Sequence, residues 1–167
     1  MNNTRLGFAL TGSFCTFAQV FEQMEELVAR GYDVTPILSY NAGQEENRFF
    51  SPAQVRERLE KITGKKPLAT LREVEPIGPK KMLDIYVLAP ATGNTLGKLA
   101  GGIYDTPALL GAKSHLRNGR PLVVAVSTND GLALSAANIG RLLATQNIYF
   151  VPFGQDDPYG KPRSLVA

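Results

Sequence analysis

Leu122–Ser127 (LVVAVS) is apolar residue after residue, without the polar alternation of a strand that faces water on one side. A short run of this kind suits a strand buried inside a parallel sheet. It has companions. Arg5–Leu10 (RLGFAL), Asp33–Leu38 (DVTPIL), Leu83–Ala89 (LDIYVLA) and Ile148–Val151 read as further strands, and helical patterns separate them. In Phe14–Arg30 the residues Phe17, Val20, Phe21, Met24, Leu27 and Val28 fall on one face, with Glu22, Glu25 and Glu26 on the other. Gly31 supplies a stop to that helix. Strands alternating with helices imply right-handed crossovers and a parallel sheet with helices on both faces.

The remaining segments fit this frame. Ser51-Pro52 is an N-cap followed by proline at the first helical position, opening a helix to about Ile62. Asn94–Ala100, Pro107–Asn118 (stopped by Gly119) and Ser135–Thr145 read as helices. Pro36 either demotes the second strand or places it where a missing N–H does no harm. Ser39–Phe50 reads as a polar loop, Thr63–Lys81 as irregular, and the tail from about residue 152 as extended and loosely packed or capping a partner. The chain has 167 residues, 44% of them hydrophobic, and shows no repeat or linker, so residues 1–167 read as one domain. The fold class is α/β: a single Rossmann-like three-layer domain with a mostly parallel sheet.

Composition excludes several chemistries. One cysteine, Cys15, and one histidine, His115, leave no disulfide framework and no Cys- or His-rich metal site. No apolar run approaches the roughly 18 residues that span a bilayer. Met1-Asn2-Asn3-Thr4-Arg5 leads directly into the first strand, so no signal peptide is read and the cytosol is the expected setting. The formal charge is +3, and its surplus gathers in Lys61, Lys65, Lys66, Arg72, Lys80 and Lys81. That stretch is either a solvated surface or a patch for an anionic ligand. No aromatic residues interleave with it, which argues against single-stranded nucleic acid.

In open α/β sheets, ligands bind beyond the carboxyl ends of the strands. After the first strand stands Thr11-Gly12-Ser13-Phe14-Cys15-Thr16, a glycine and hydroxyls at a helix start. It is either a phosphate cradle or a simple helix cap by Ser13. Ser39, after the second strand, is a second phosphate donor or a turn residue. After the third come Pro90-Ala91-Thr92-Gly93-Asn94-Thr95, small and amide-bearing residues that admit a flat ring close to the backbone. After the fourth comes Ser127-Thr128-Asn129-Asp130-Gly131, with Asn129 and Asp130 as candidate contacts.

Residues Pro90–Asp105 resemble the P-A-S-A-N-T-x-x-K-x-A-x-G-x-x-D motif of the flavoproteins known as homo-oligomeric flavin-containing cysteine decarboxylases. Pro90, Ala91, Asn94, Thr95, Lys98, Ala100, Gly102 and Asp105 match it. Similarity to one group within the family, its members from spore-forming bacteria, extends through Leu6–Glu26, Glu75–Lys81, Lys113–Asn118, Ser127–Leu132 and Asn147–Pro158, nearly end to end. The family resemblance implies the flavoprotein (HFCD-like) fold and FMN. Gly12, Ser13 and Ser39 would hold the phosphate and Thr92, Gly93, Asn94 and Thr95 the ring edge, with Phe14 also against the cofactor. It also implies a homo-oligomer built from trimers. Within the family the chain is most similar to members from spore-forming bacteria that oxidise dihydrodipicolinate to dipicolinate. Those members act with a second subunit that has a dinucleotide-binding domain and NADP-type electron acceptance.

The chain also departs from the family. The decarboxylases' catalytic histidine has no counterpart in Ser51–Lys81. His115, near a helix C-terminus, is expected to be a partly charged structural residue. Cys15 is expected to pack a helix, and Gly93, where the family has alanine, to enlarge the pocket. Peptidyl-cysteine decarboxylation is therefore not expected. Catalytic residues are unassigned; Asn94 and Asn129 are the candidates, and no metal site is expected. Two roles fit these residues: an oxidoreductase subunit holding FMN, another nucleotide or a small dicarboxylate, or a non-catalytic scaffold that regulates the second subunit through a vestigial pocket. A generic nucleotide-binding domain is a third.

Overall fold

The computed structural model describes residues 3–45 and 49–167. Met1-Asn2, used in the signal-peptide reading, and residues 46–48 of the expected polar loop lie outside the described residues. The strands are β1 (Arg5–Leu10), β2 (Asp33–Leu38), β3 (Ile85–Ala91), β4 (Leu122–Thr128), β5 (Ile148–Phe150) and β6 (Leu165–Val166). The helices are α1 (Phe17–Ala29), α2 (Tyr40–Gln44), α3 (Pro52–Thr63), α4 (Leu71–Val74), α5 (Gly93–Gly101), α6 (Pro107–Leu116) and α7 (Ser135–Leu143). The sheet runs β2-β1-β3-β4-β5 and is parallel throughout. Only β6 is antiparallel, pairing Ser127 with Val166 and Thr128 with Leu165.

Alternation of side chains assigns each strand residue to a layer. Leu6, Phe8 and Leu10 of β1 pack with Phe17, Phe21 and Met24 of α1 and Leu59 of α3. Ala9, Tyr86, Leu88, Leu122 and Val124 pack on the other side with Leu96, Leu109 and Ile139 of α5, α6 and α7. Pro36 lies on β2, at the sheet edge, where its carbonyl accepts from Leu68 N–H and the adjacent outward N–H, that of Leu38, bonds to Leu68 O. The same spacing turns the proline nitrogen outward, away from β1, where no ladder donor is needed.

Three expectations about the frame are corrected. LVVAVS is fully buried on one face only: Leu122, Val124 and Val126 are inside, while Val123 and Ala125 are half-covered. Helix α1 and helix α3 lie over β1 and β2, and on their side Tyr149 of β5 is 57% exposed. The expected loop after β2 opens as helix α2, because Ser39 accepts from Ala42 N–H and caps it. The tail from residue 152 is not loose. It turns back as β6, with mutual backbone bonds between Gly154 and Val166. The basic stretch is not wholly free to meet a ligand, since Lys65 pairs with Asp33 at 2.5 Å.

His115 is corrected too. It is fully buried, its Nε2 is 3.0 Å from Pro121 O, and its Nδ1 has no partner. The carbonyl requires the proton on Nε2. Burial holds the imidazole below its ordinary value, so it stays neutral rather than complementing the helix dipole. The unfolded chain therefore binds a proton here before the folded one does. Stability from this group is complete above about pH 6.5, the ordinary value, and falls as pH drops toward the folded value. Asp84, which Arg5 clamps at about 2, and the depressed Asp130 lose their contributions only at lower pH. The melting temperature is expected to decline from pH 7 to pH 5, with a shallower decline in His115→Gln. Parallel curves for the two proteins would refute the assignment.

Candidate functional site

A cavity of about 860 Å³ opens at the carboxyl ends of β1, β3 and β4. That volume lies within the roughly 300–1,000 Å³ typical of cofactor and ligand sites. The loop after β1 brings Gly12, Ser13, Cys15 and Thr16 to it; that after β3 brings Thr92, Gly93 and Asn94; that after β4 brings Asn129 and Asp130. The two candidate amides, Asn94 and Asn129, thus share one cavity. A second, smaller cavity of about 160 Å³ adjoins it, with Gly12, Thr92 and Asn94 common to both walls. Ser39 and Thr95 belong to the smaller one. Phe14 lines neither; its ring packs edge-on against Phe17 at 5.3 Å.

The turn after β1 is built differently from a helix cap. Phe14–Thr16 form a 3₁₀ turn before α1, and Ser13 makes no side-chain cap to it. The Ser13 hydroxyl instead meets that of Ser127 at 2.7 Å, tying the β1 turn to β4. Cys15 is exposed and faces the cavity instead of packing its helix; its Sγ lies 3.8 Å from Ser13 Oγ.

Helix α5 starts from the cavity wall. Thr92 accepts from Thr95 N–H and caps the helix, and its own N–H donates to Thr11 Oγ1 at 3.3 Å. Thr11 donates to Pro90 O at 2.6 Å, joining the β1 and β3 ends. At the far end of α5, Gly102 adopts φ of 74°, a left-handed cap that other residues enter at a cost. The chain then returns so that Lys98 Nζ reaches both Asp105 oxygens, at 2.9 and 3.0 Å. The motif's lysine and aspartate are thus partners of each other.

Gly93 does not enlarge the cavity. A Cβ there would stand 2.7 Å from Thr128 Oγ1, 2.9 Å from Asp130 Oδ1 and 2.9 Å from Ser135 Oγ. The space of the absent methyl is filled by a polar cluster. Asp130 Oδ1 accepts from Thr128 Oγ1 at 2.6 Å and from Ser135 Oγ at 2.8 Å. Those two hydroxyls, Thr128 foremost, hold the carboxyl below the ordinary carboxylate range. Asp130 is therefore an anchored anion and not a proton carrier at neutral pH.

Asn138, Asp156, Lys161 and Ser164 also line the cavity, and sequence reasoning had not placed them there. The last three come from the tail. The available signal was Asp157-Pro158-Tyr159-Gly160, a turn sequence that reverses the chain. Ser164 Oγ donates to Thr128 O at 3.3 Å, which helps seat the returning tail on the end of β4. His115 and the six clustered basic residues are absent from the walls of this cavity. Among the described residues no group of acids, histidine or cysteine is arranged to hold a metal ion, and no helix is long and apolar enough to cross a membrane.

The flavoprotein family model matches residues 1–159. The B subunit of dipicolinate synthase from Bacillus subtilis (strain 168) is 46% identical over 167 residues, covering all of this chain and 84% of the relative. The crystal structure of the dipicolinate synthase B subunit from Bacillus halodurans superposes with a TM-score of 0.90 at 47% identity, over 100% of this chain and 87% of that one. The FMN complex of Burkholderia xenovorans DmrB, described as a cubic protein cage for redox transfer, shares the fold. Its TM-score is 0.73 at 21% identity, over 90% of this chain and 88% of that one.

Proposed function

The chain belongs to the flavoprotein family, and on that premise we propose that it is the B subunit of a dipicolinate synthase, oxidising dihydrodipicolinate to dipicolinate together with the enzyme's A subunit. The carrying observation is the similarity to the B subunits of two Bacillus species along the whole chain. The setting is the mother-cell cytoplasm of a sporulating bacterium. The A subunit carries the NADP site, and the present chain self-associates in trimer-based assemblies.

The residues present fit FMN. The cavity has room for a tricyclic ring, and its wall at Gly12 carries no side chain. Hydroxyls of Ser13 and Thr16 stand where the 3₁₀ turn leads into α1, and as neutral donors they suit a phosphate. When bound, FMN supplies the two-electron acceptor chemistry that aromatising a dihydropyridine requires. The protein's part is placement. Asn94 and Asn129 offer donors and acceptors to polar ring edges, and the fixed charge of Asp130 orients whatever lies beside it. Among the described residues no imidazole lines the cavity, so the decarboxylase proton chemistry has no carrier here.

Two measurements test this. Purified protein titrated with FMN is expected to show perturbed flavin absorbance, and the A and B subunits together are expected to turn over dihydrodipicolinate faster than either one by itself. Full activity of the A subunit in isolation would favour the scaffold role, which the missing imidazole otherwise supports. Asn94→Ala is expected to lower turnover of the assembled enzyme about tenfold. Asn94 is exposed, so its loss should shift stability by no more than about 0.5 kcal/mol. Unchanged turnover would remove Asn94 from the site.

A further inference from the structure

The proposed substrate carries two carboxylates, and their charge must be met inside the cavity. Lys98 is not free for this, since it is paired with Asp105. Lys80, Lys81 and Arg117 do not line the cavity. Among the described residues its one cationic wall residue is Lys161, on the returned tail.

Several contacts fix where Lys161 stands. Its backbone N–H donates to Asp157 O at 2.8 Å, and its carbonyl accepts from Ser164 N–H at 3.0 Å. The Gln155 amide donates to Pro162 O at 2.8 Å, and Gly160 N–H to Asp157 Oδ1 at 2.8 Å. Lys161 is thus held in a bonded turn. Its side chain is 61% exposed and only loosely engaged, with Nζ 3.5 Å from Asp156 Oδ2. A solvent-exposed pair at that distance contributes little. A ligand carboxylate entering the cavity can therefore replace Asp156 at modest cost.

Resting on the function proposed above, we infer that Lys161 is the specificity-determining residue of this cavity, gripping one carboxylate of an aromatic or dihydroaromatic dicarboxylate and exchanging Asp156 for it. Lys161 positions the ring and does not take part in proton or hydride transfer. The second carboxylate meets the neutral donors of the wall, so a monocarboxylate that uses only those donors binds without the lysine.

The test uses the FMN-loaded chain in complex with the A subunit. Pyridine-2,6-dicarboxylate and pyridine-2-carboxylate are titrated calorimetrically into wild type, Lys161→Met and Lys161→Arg. Lys161→Met is expected to weaken diacid binding at least tenfold, to leave FMN affinity within about twofold, and to reduce the preference for diacid over monoacid. Lys161→Arg should restore part of that preference. In turnover, Lys161→Met is expected to raise KM for dihydrodipicolinate with little change in kcat. Wild-type diacid affinity in Lys161→Met, or no diacid binding by wild type, would overturn the assignment. Absence of dihydrodipicolinate turnover by the wild-type complex would instead overturn the function on which it rests.

Discussion

Gly93→Val is expected to lose about 2–4 kcal/mol of stability and to weaken FMN binding at least tenfold. Even the first carbon of the new side chain would stand within 2.9 Å of three oxygens, those of Thr128, Asp130 and Ser135. The two further methyls must push this cluster apart. Asp130 would then lose the hydroxyls that stabilise its charge, at a cost of roughly 1.5–3 kcal/mol for each such bond to a charged group, less what water recovers. Differential scanning calorimetry should show a melting temperature about 5–15 °C lower, since 1 kcal/mol corresponds to roughly 2–4 °C in a chain of this size. Gly93→Ala should cost less, because Thr128 and Ser135 can rotate. Adding Thr128→Ala should recover part of the alanine variant's loss, because the nearest oxygen is then gone. A Gly93→Val protein that melts within a degree of wild type would show that the cluster yields freely.

Gly111→Val is expected to be more severe, with about 3 kcal/mol or more lost and a sharp fall in soluble yield. Gly111 lies on α6 against the buried ring of Tyr86, and a Cβ there would stand 2.6 Å from the tyrosine oxygen and 3.1 Å from Cε2. The ring has no room to retreat. Its hydroxyl donates to Ala108 O at 2.8 Å, and its other neighbours include His115, ring to ring at 5.8 Å. Tyr86→Phe in the Gly111→Val background should recover about 1 kcal/mol, because the closest atom is removed at the cost of one hydrogen bond. Urea unfolding of the two variants measures this. A double variant no more stable than Gly111→Val would place the strain elsewhere.

Much of the frame was legible because its signals are periodic. Arg5–Leu10 and Asp33–Leu38 coincide with β1 and β2, and Ser51-Pro52 does open α3, with Ser51 and Gln54 capping each other. Helix α4 was missed although its cue was present. Thr70 and Glu73 form a capping box, but a single turn gives no periodicity to accompany it. Strand β6 was invisible, since two residues after a proline- and glycine-rich tail gain strand identity only by finding β4. At the site, local motifs singled out Gly12, Ser13, Thr92 and Asn94, which the fold brings to one cavity. They could not show that Gly93 answers to Asp130, because that contact joins separate turns. Nor could they show that Lys161 returns to the site, which depends on the path of the tail.

The hydroxyls at the cavity already satisfy one another: Ser13 with Ser127, Thr92 with Thr95, and Thr128 and Ser135 with Asp130. A ligand therefore meets a surface with few idle donors, and each new bond displaces an old one. Binding at such a wall is an exchange reaction, so its heat should be smaller than its contacts suggest. Because a hydroxyl can turn its proton either way, the Ser13–Ser127 and Thr92–Thr95 pairs can present a donor or an acceptor without moving a heavy atom. The wall is rigid in position and adjustable in polarity, a property suited to holding a ring whose hydrogen-bonding pattern changes as it gains and loses electrons.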